Sequence, residues 1–220
     1  MIVSRVMTKN PVYIHPDATV TEVRSLMDKE KISHLPVLDK NNTLTGIVAR
    51  EDLVKAGPSL ATTLDMYEIS YLLTKIKVSD IMVKQVITVN EDEVVEEAAR
   101  IMADTGIGCL PVMKGSHGTR GSLLVGIITD TDLFHAFINA FGARHTGVRV
   151  ILNMGEHPGQ LAALSGAIAG KGGNIVSLIT AEGDDAAHRR ITMKVEGLSK
   201  SDMETIVTGI PDAAIEDIRE

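Results

Sequence analysis

The chain has one cysteine, no tryptophan and three phenylalanines, and aromatic residues fill 3% of its 220 positions. A lone Cys109 excludes an intrachain disulfide and any cysteine-rich metal site. The seven histidines, His15, His34, His117, His135, His145, His157 and His188, lack the short spacings that place two ligands on one zinc ion. No metal is expected. With so few rings, Ile, Val, Leu and the ten Met have to fill the core, as is usual in α/β domains.

Long apolar runs are missing too. Residues 1–9 hold no apolar stretch of signal-peptide length, and no later run approaches the roughly 18 residues of a membrane span. A cytoplasmic protein without membrane contact is the expectation. The net charge of -7 offers no attraction to nucleic acid or anionic lipid, although a small anion could still be held by N–H groups at a helix start. There is no Gly-x-Ser-x-Gly elbow and no P-loop, and Gly118-Thr119-Arg120-Gly121 lacks the lysine and the helix of a phosphate loop. Without convergent acids, bases or nucleophiles, the chain is not expected to be an enzyme.

What the sequence does hold is an internal repeat. Val3-Ser4, Met7, Val20, Met27, Ile32 and Leu35-Pro36-Val37 return 75 positions later as Val78-Ser79, Met82, Val95, Met102, Ile107 and Leu110-Pro111-Val112. Gly46-Ile47, Asp52 and Leu53 return 80 positions later as Gly126-Ile127, Asp132 and Leu133. The five extra residues fall in the Gly-rich stretch 114–121, a longer hairpin loop. A constant offset broken once, in a loop, marks a duplicated folding unit.

Each unit reads as short strand, helix, two strands, helix. In the first, Thr19 caps a helix with Glu22 three residues on, and Val20, Val23 and Met27 share a face. Leu35 to Leu38 and Leu44 to Val48 are strands joined by the turn Asp39-Lys40-Asn41-Asn42, and a helix follows from Glu51. In the second, Val94, Ala98, Ile101 and Met102 form the matching stripe, and Leu123 to Thr129 is the last strand.

On these residues each unit resembles a cystathionine-beta-synthase (CBS) domain, with its Val-x-x-hydrophobic-Met opening, Leu-Pro-Val strand and Gly-Ile-x-x-x-x-Asp ending. Two such units resemble a Bateman module, whose paired sheets face each other about a pseudo-twofold axis and leave two clefts. The resemblance implies that the clefts bind an adenosine compound: AMP, ADP, ATP or S-adenosylmethionine. Its nucleotide signature, Gly-hydrophobic-x-Ser/Thr-x-x-Asp, is complete from Gly126 to Asp132. There Asp132 would accept from the ribose hydroxyls and Thr129 would donate to phosphate, with adenine against Val86 and the Leu110-Pro111 strand.

Thr129 and Asp132 also make an ordinary capping box, which needs no ligand to explain it. In the first repeat Ala49 replaces the hydroxyl while Asp52 remains, so the complete site is expected in the second. Asp52 is the weaker candidate, since an acid in a first helical turn is favourable anyway. His34, ahead of Leu35-Pro36-Val37, stands where the family often carries a basic residue that touches phosphate; a histidine satisfied within the fold is the preferred reading, and the phosphate contact the alternative. Cys109, its counterpart, reads as a small buried residue.

Residues 58–76 form a connector with a broad apolar stripe of Leu64, Ile69, Leu72, Leu73 and Ile76, and with Tyr67 and Tyr71 four apart. A helix packed on its own sheet and a helix pairing across a homodimer both fit.

After residue 147 the pattern changes. Val148, Val150 and Leu152 alternate as a strand, Pro158 opens a helix that Gly172-Gly173 ends, and Asn174 to Thr180 is a second strand. A turn over residues 182–185, a strand through Arg189, Ile191, Met193 and Val195, a helix capped by Ser199 and an edge strand from Ala214 to Ile218 complete a ferredoxin-like order. The turn from Glu156 to Leu161 and the Gly173-Asn174-Ile175 step resemble an ACT domain. That resemblance implies side-by-side pairing and an amino-acid site at His157, Gly159, Gln160 and Asn174, where Gly159 permits close backbone approach.

The expected organisation is an α/β (α+β) chain with CBS unit 1 at 1–57, a connector helix at 58–76, CBS unit 2 at 77–141 and an ACT-like domain at 147–220. The whole resembles the bacterial acetoin-utilisation protein B group. It implies a regulatory sensor in which an adenosine ligand on the CBS pair is read by the ACT domain or a partner protein. The alternative is an amino-acid-responsive or purely structural dimerisation protein. No cofactor is expected beyond such a regulatory ligand.

Overall fold

The duplication is built so that each repeat lends its opening residues to the other. The computed structural model describes residues 1–57, 68, 71, 73–115, 122–183 and 185–220. It divides into two units, Met1–Leu133 and Phe134–Glu220. Leu64, Ile69 and Leu72 of the connector stripe, and Tyr67 beside it, lie outside the described residues, as do residues 116–121.

From its start the chain forms β1 (Thr8–Lys9), α1 (Val20–Glu30), β2 (His34–Leu38), β3 (Leu44–Ala49) and α2 (Arg50–Lys55). The second repeat forms α3 (Val78–Ile81), β4 (Val89–Asn90), α4 (Val95–Thr105), β5 (Cys109–Lys114), β6 (Leu123–Thr129) and α5 (Asp130–Ala140). Local chemistry fixes the boundaries. Thr19 and Glu22 make the expected capping box, the Glu22 carboxylate accepting from Thr19 N–H at 2.7 Å. Asp39 Oδ1 accepts from the N–H groups of Asn41 and Thr43, both at 2.8 Å, and so shapes the β2–β3 turn. Val94 leaves the expected stripe: it is the N-cap of α4 and is 44% exposed, and Val95, Ala98 and Met102 form the buried face.

β1 pairs outside its own repeat. Thr8 pairs with Ile127 and Lys9 with Gly126, giving a sheet of order β1-β6-β5-β4. Reciprocally, Val83 pairs with Ile47 of β3; Ile2 bridges Val94 just as Lys77 bridges Thr19. Gly46 and Gly126 serve this contact: a Cβ on Gly46 would lie 2.5 Å from Met82 Sδ, and one on Gly126 would overlap Met7 Sδ. A glycine in a strand marks such close approach. The repeated Met and the repeated Gly are therefore partners across repeats.

The cores follow the same rule. Val20, Met27, Leu35, Val37 and Val48 pack with Val78, whereas Val95, Met102, Leu110, Val112 and Ile128 pack with Val3. Each aliphatic side chain so buried contributes roughly 1.5–3 kcal/mol. Leu73, at the end of the connector, is buried in the first of these clusters.

The second unit runs β7 (Val148–Gly155), α6 (Gln160–Gly170), β8 (Asn174–Glu182), β9 (His188–Glu196), α7 (Lys200–Thr208) and β10 (Ala213–Arg219). They form one antiparallel sheet, β10-β7-β9-β8, the ferredoxin-like arrangement. Val148, Val150, Leu152 and Met154 alternate inward against Leu164, Ile168, Met203 and Ile206. Pro158 does not open α6. The helix begins at Gln160, and its N-cap is Gly159 at φ +97°, a conformation that favours glycine.

No helix among the described residues is long and apolar enough to cross a membrane.

Candidate functional site

The exchange of openings decides which side chains share a cavity. Because Val83 is carried onto β3 by its pairing with Ile47, the residues after it lie beside the β3–α2 turn. Gln85, Val86 and Ile87 enclose, with Ser33, His34, Ala49, Arg50, Glu51, Asp52, Ile107 and Pro111, a cavity of about 620 Å³. That is the size of a small-molecule site.

Of the residues expected to hold an adenosine compound, His34, Asp52, Val86 and Pro111 line this cavity. Thr129 and Asp132 do not. The sequence pattern puts Val86 beside Asp132 of its own repeat, but the crossed opening carries it to the cavity at Asp52. Leu110 corrects the expectation outright. It is fully buried in the second core, since side chains alternate along β5 and only Cys109 and Pro111 turn to the cavity.

Hydrogen bonding separates the two turns. Asp52 Oδ2 accepts from Ala49 N–H at 2.8 Å, and Arg50 N–H donates to Ser33 O at 2.8 Å. Asp132 Oδ2 accepts from both Thr129 N–H at 2.9 Å and Thr129 Oγ1–H at 2.8 Å, while Thr129 Oγ1 accepts from Asp132 N–H at 3.3 Å. The second turn is thus a closed capping box; each carboxylate engages only its Oδ2, with two donors at Asp132 and one at Asp52.

Burial pushes the His34 imidazole below the usual histidine range, against the opposing pull of Asp130, Asp52 and Glu51. His34 is therefore neutral at neutral pH. Burial, aided by Asp132 and Asp130, pushes the Cys109 thiol up to about 12, so it stays protonated and unreactive. Among the described residues no group of three or more His, Cys, Asp or Glu could hold a metal ion.

The second unit has a cavity of about 430 Å³, lined by Glu156, His157, Gly159, Gln160, Thr180 and Arg189 among others. Arg189 Nε donates to Glu156 Oε1 at 2.6 Å, and Gln160 Nε2 donates to Pro211 O at 3.2 Å and lies 2.8 Å from His157 Nε2. Asn174 does not line this cavity; it is exposed at the start of β8, opposite Glu196. Sequence reasoning passed over Arg189, whose strand alternation shows a face but not its partner 33 positions earlier.

A CBS-domain family model matches residues 3–59 and 78–139, and a TTHA0829-like ACT domain model matches 146–218. The uncharacterized protein MJ1426 of Methanocaldococcus jannaschii is 30% identical over 63% of this chain and 92% of its own length. Homoserine O-acetyltransferase of Methanococcus vannielii is 34% identical over 58% of this chain, which spans only 23% of that enzyme. Among solved structures, a putative acetoin utilization protein (AcuB) from Vibrio cholerae is 30% identical, with 66% of this chain and 95% of that one covered and a TM-score of 0.52. The CBS domain pair of protein MJ0100, in complex with 5′-methylthioadenosine and S-adenosyl-L-methionine, is 27% identical over 66% of this chain and 98% of its own, TM-score 0.51. CBSX2 in complex with AMP is 29% identical over 62% and 96%, TM-score 0.50.

Proposed function

Since the chain belongs to the CBS-domain family and carries an ACT domain after its CBS pair, we propose that it is a regulatory protein that binds an adenosine compound in the cavity at Asp52. One observation carries the reading: a carboxylate with one oxygen unengaged stands at the edge of a cavity whose walls, Val86, Ile107 and Pro111, are apolar. In this reading Asp52 accepts from the ribose hydroxyls and the apolar walls hold adenine. His34, neutral, contributes a hydrogen bond rather than a charge. The complexes of MJ0100 with 5′-methylthioadenosine and S-adenosyl-L-methionine, and of CBSX2 with AMP, support an adenosine compound as the ligand. The Thr129–Asp132 turn is the secondary site. Binding favours one arrangement of the repeats, and the ACT domain or a partner protein reads it, within the limit set by the ligand's differential affinity.

Thermal melts test this. An adenosine compound at a hundred times its dissociation constant should stabilise the fold by about 2.7 kcal/mol. Asp52→Ala should abolish the shift and Asp132→Ala should keep it. The reverse pattern moves the site to the second repeat, and no shift with any adenosine compound ends the reading.

A second reading has its own observation. Glu156 and Arg189, 2.6 Å apart beside the smaller cavity, match the ammonium and carboxylate of an amino acid. An amino-acid-dependent melt shift that Arg189→Gln removes would place a sensor function there. In both readings the chain acts as a homodimer, which light scattering checks.

A further inference from the structure

Building on the adenosine reading, we infer that the cavity at Asp52 selects adenosine compounds whose 5′ substituent is neutral or cationic, a thioether or a sulfonium, over the di- and triphosphates. Charge distinguishes these ligands, and the cavity wall has a definite balance of it. Arg50, Glu51 and Asp52 are its charged residues at neutral pH, and no lysine lines it. Arg50 is already engaged, giving Nη1 to Asp28 Oδ1 at 2.7 Å and Nη2 to Ile32 O at 3.2 Å. Glu51 makes no hydrogen bond or ion pair among the described residues, and its charge acts on His34. The uncompensated charge is therefore negative.

The backbone adds little for an anion. Ala49 N–H is given to Asp52 Oδ2 and Arg50 N–H to Ser33 O, each at 2.8 Å. Ala49 has no hydroxyl to donate to phosphate, and α2 is only six residues long. Polyphosphates need several charged donors, and they would meet two carboxylates here instead. A sulfonium tail would find those same carboxylates attractive, and the neutral Gln85 and Ser33 on the same wall can hydrogen-bond its polar atoms. For unit charges about 6 Å apart, each like or unlike pair changes affinity by about three- to hundred-fold across effective dielectric constants of roughly 80 to 20.

Isothermal titration calorimetry of the full chain, magnesium-free at fixed ionic strength, with adenosine, 5′-methylthioadenosine, S-adenosylmethionine, AMP and ATP, decides it. S-adenosylmethionine should bind at least as tightly as the two neutral compounds, AMP more weakly, and ATP at least about ten-fold more weakly than adenosine. Raising salt to about 0.5 M should weaken S-adenosylmethionine and strengthen ATP. E51Q should narrow the gap between those two ligands. D28N should also narrow it, by freeing Arg50 without touching the cavity wall. ATP binding as tightly as adenosine overturns the charge selection and leaves the adenosine reading standing; a gap unchanged in both variants overturns it too. Flat titrations with all five compounds end the adenosine reading, and the selection with it.

Discussion

The two repeats bury the same skeleton and differ at one turn. Leu35 and Leu110 are both fully buried, as are Val37 and Val112, and each core takes one valine from the other repeat's opening. At the end of the last strand the likeness stops. Ala49 and Asp52 stand where Thr129 and Asp132 close a capping box, and His34 stands where Cys109 does. Packing density leaves no freedom in the cores, because a missing methylene is felt at once. A turn bordering a cavity has no such constraint, so it is there that duplicated halves can take different tasks.

The largest effect should fall on what the repeats share. Leu35→Ala and Leu110→Ala each leave a void at a fully buried site and should each cost about 2–5 kcal/mol in urea unfolding. Their costs should be similar. A large loss in one and almost none in the other would break the equivalence of the cores, and would show that one repeat folds without its partner.

A smaller effect should fall on the turns. Asp132→Ala removes the acceptor for two donors, Thr129 N–H and Oγ1–H, and should cost about 1 kcal/mol without ligand. Asp52→Ala removes the acceptor for one and should cost less. Ligand reverses the order, since Asp52 then matters more. If Asp52→Ala were the costlier change in the ligand-free protein, Asp52 would be a structural cap and the difference between the turns would lose its functional meaning.

Most of the local structure is legible in the sequence because it depends on residues a few positions apart. Thr19 with Glu22, Asp39 with its turn, and Ser199 with Asp202 each declare an element boundary, and each is seen as hydrogen bonds. The make-up of the site is not legible in the same way. Met7 and Met82 are equivalent, and so are Gly46 and Gly126, so the pattern cannot say whether a Met rests on its own glycine or on the other. The exchange therefore stays hidden, and with it the pairing of Val86 with Asp52. Leu110 is hidden for a different reason. Every residue from Cys109 to Met113 is buried, so no polar alternation marks which of them face the core.

The smallest effect separates the repeats by pH. His34 has a folded-state pKa lowered by burial, so its contribution is fully present above the unfolded histidine value of about 6.5 and is lost as pH falls toward the folded value. Cys109, at the matching position, has its pKa raised to about 12, so its contribution is fully present below the unfolded thiol value of about 8.5 and is lost as pH rises through the alkaline range. One repeat should weaken in acid and the other in base. In the second unit His188 works against the first effect: its two ring nitrogens face Asp185 at 2.8 Å and Asp212 at 3.3 Å, both of which raise its pKa, and only the protonated ring can donate to both. The comparison must therefore be made as a difference. The melting temperature of His34→Cys minus that of the parent, followed from pH 8 down to about 5, should rise as acid is added. A difference that stays flat would mean His34 is solvated and unshifted, and the first cavity would then carry a cation at its wall below about pH 6.5.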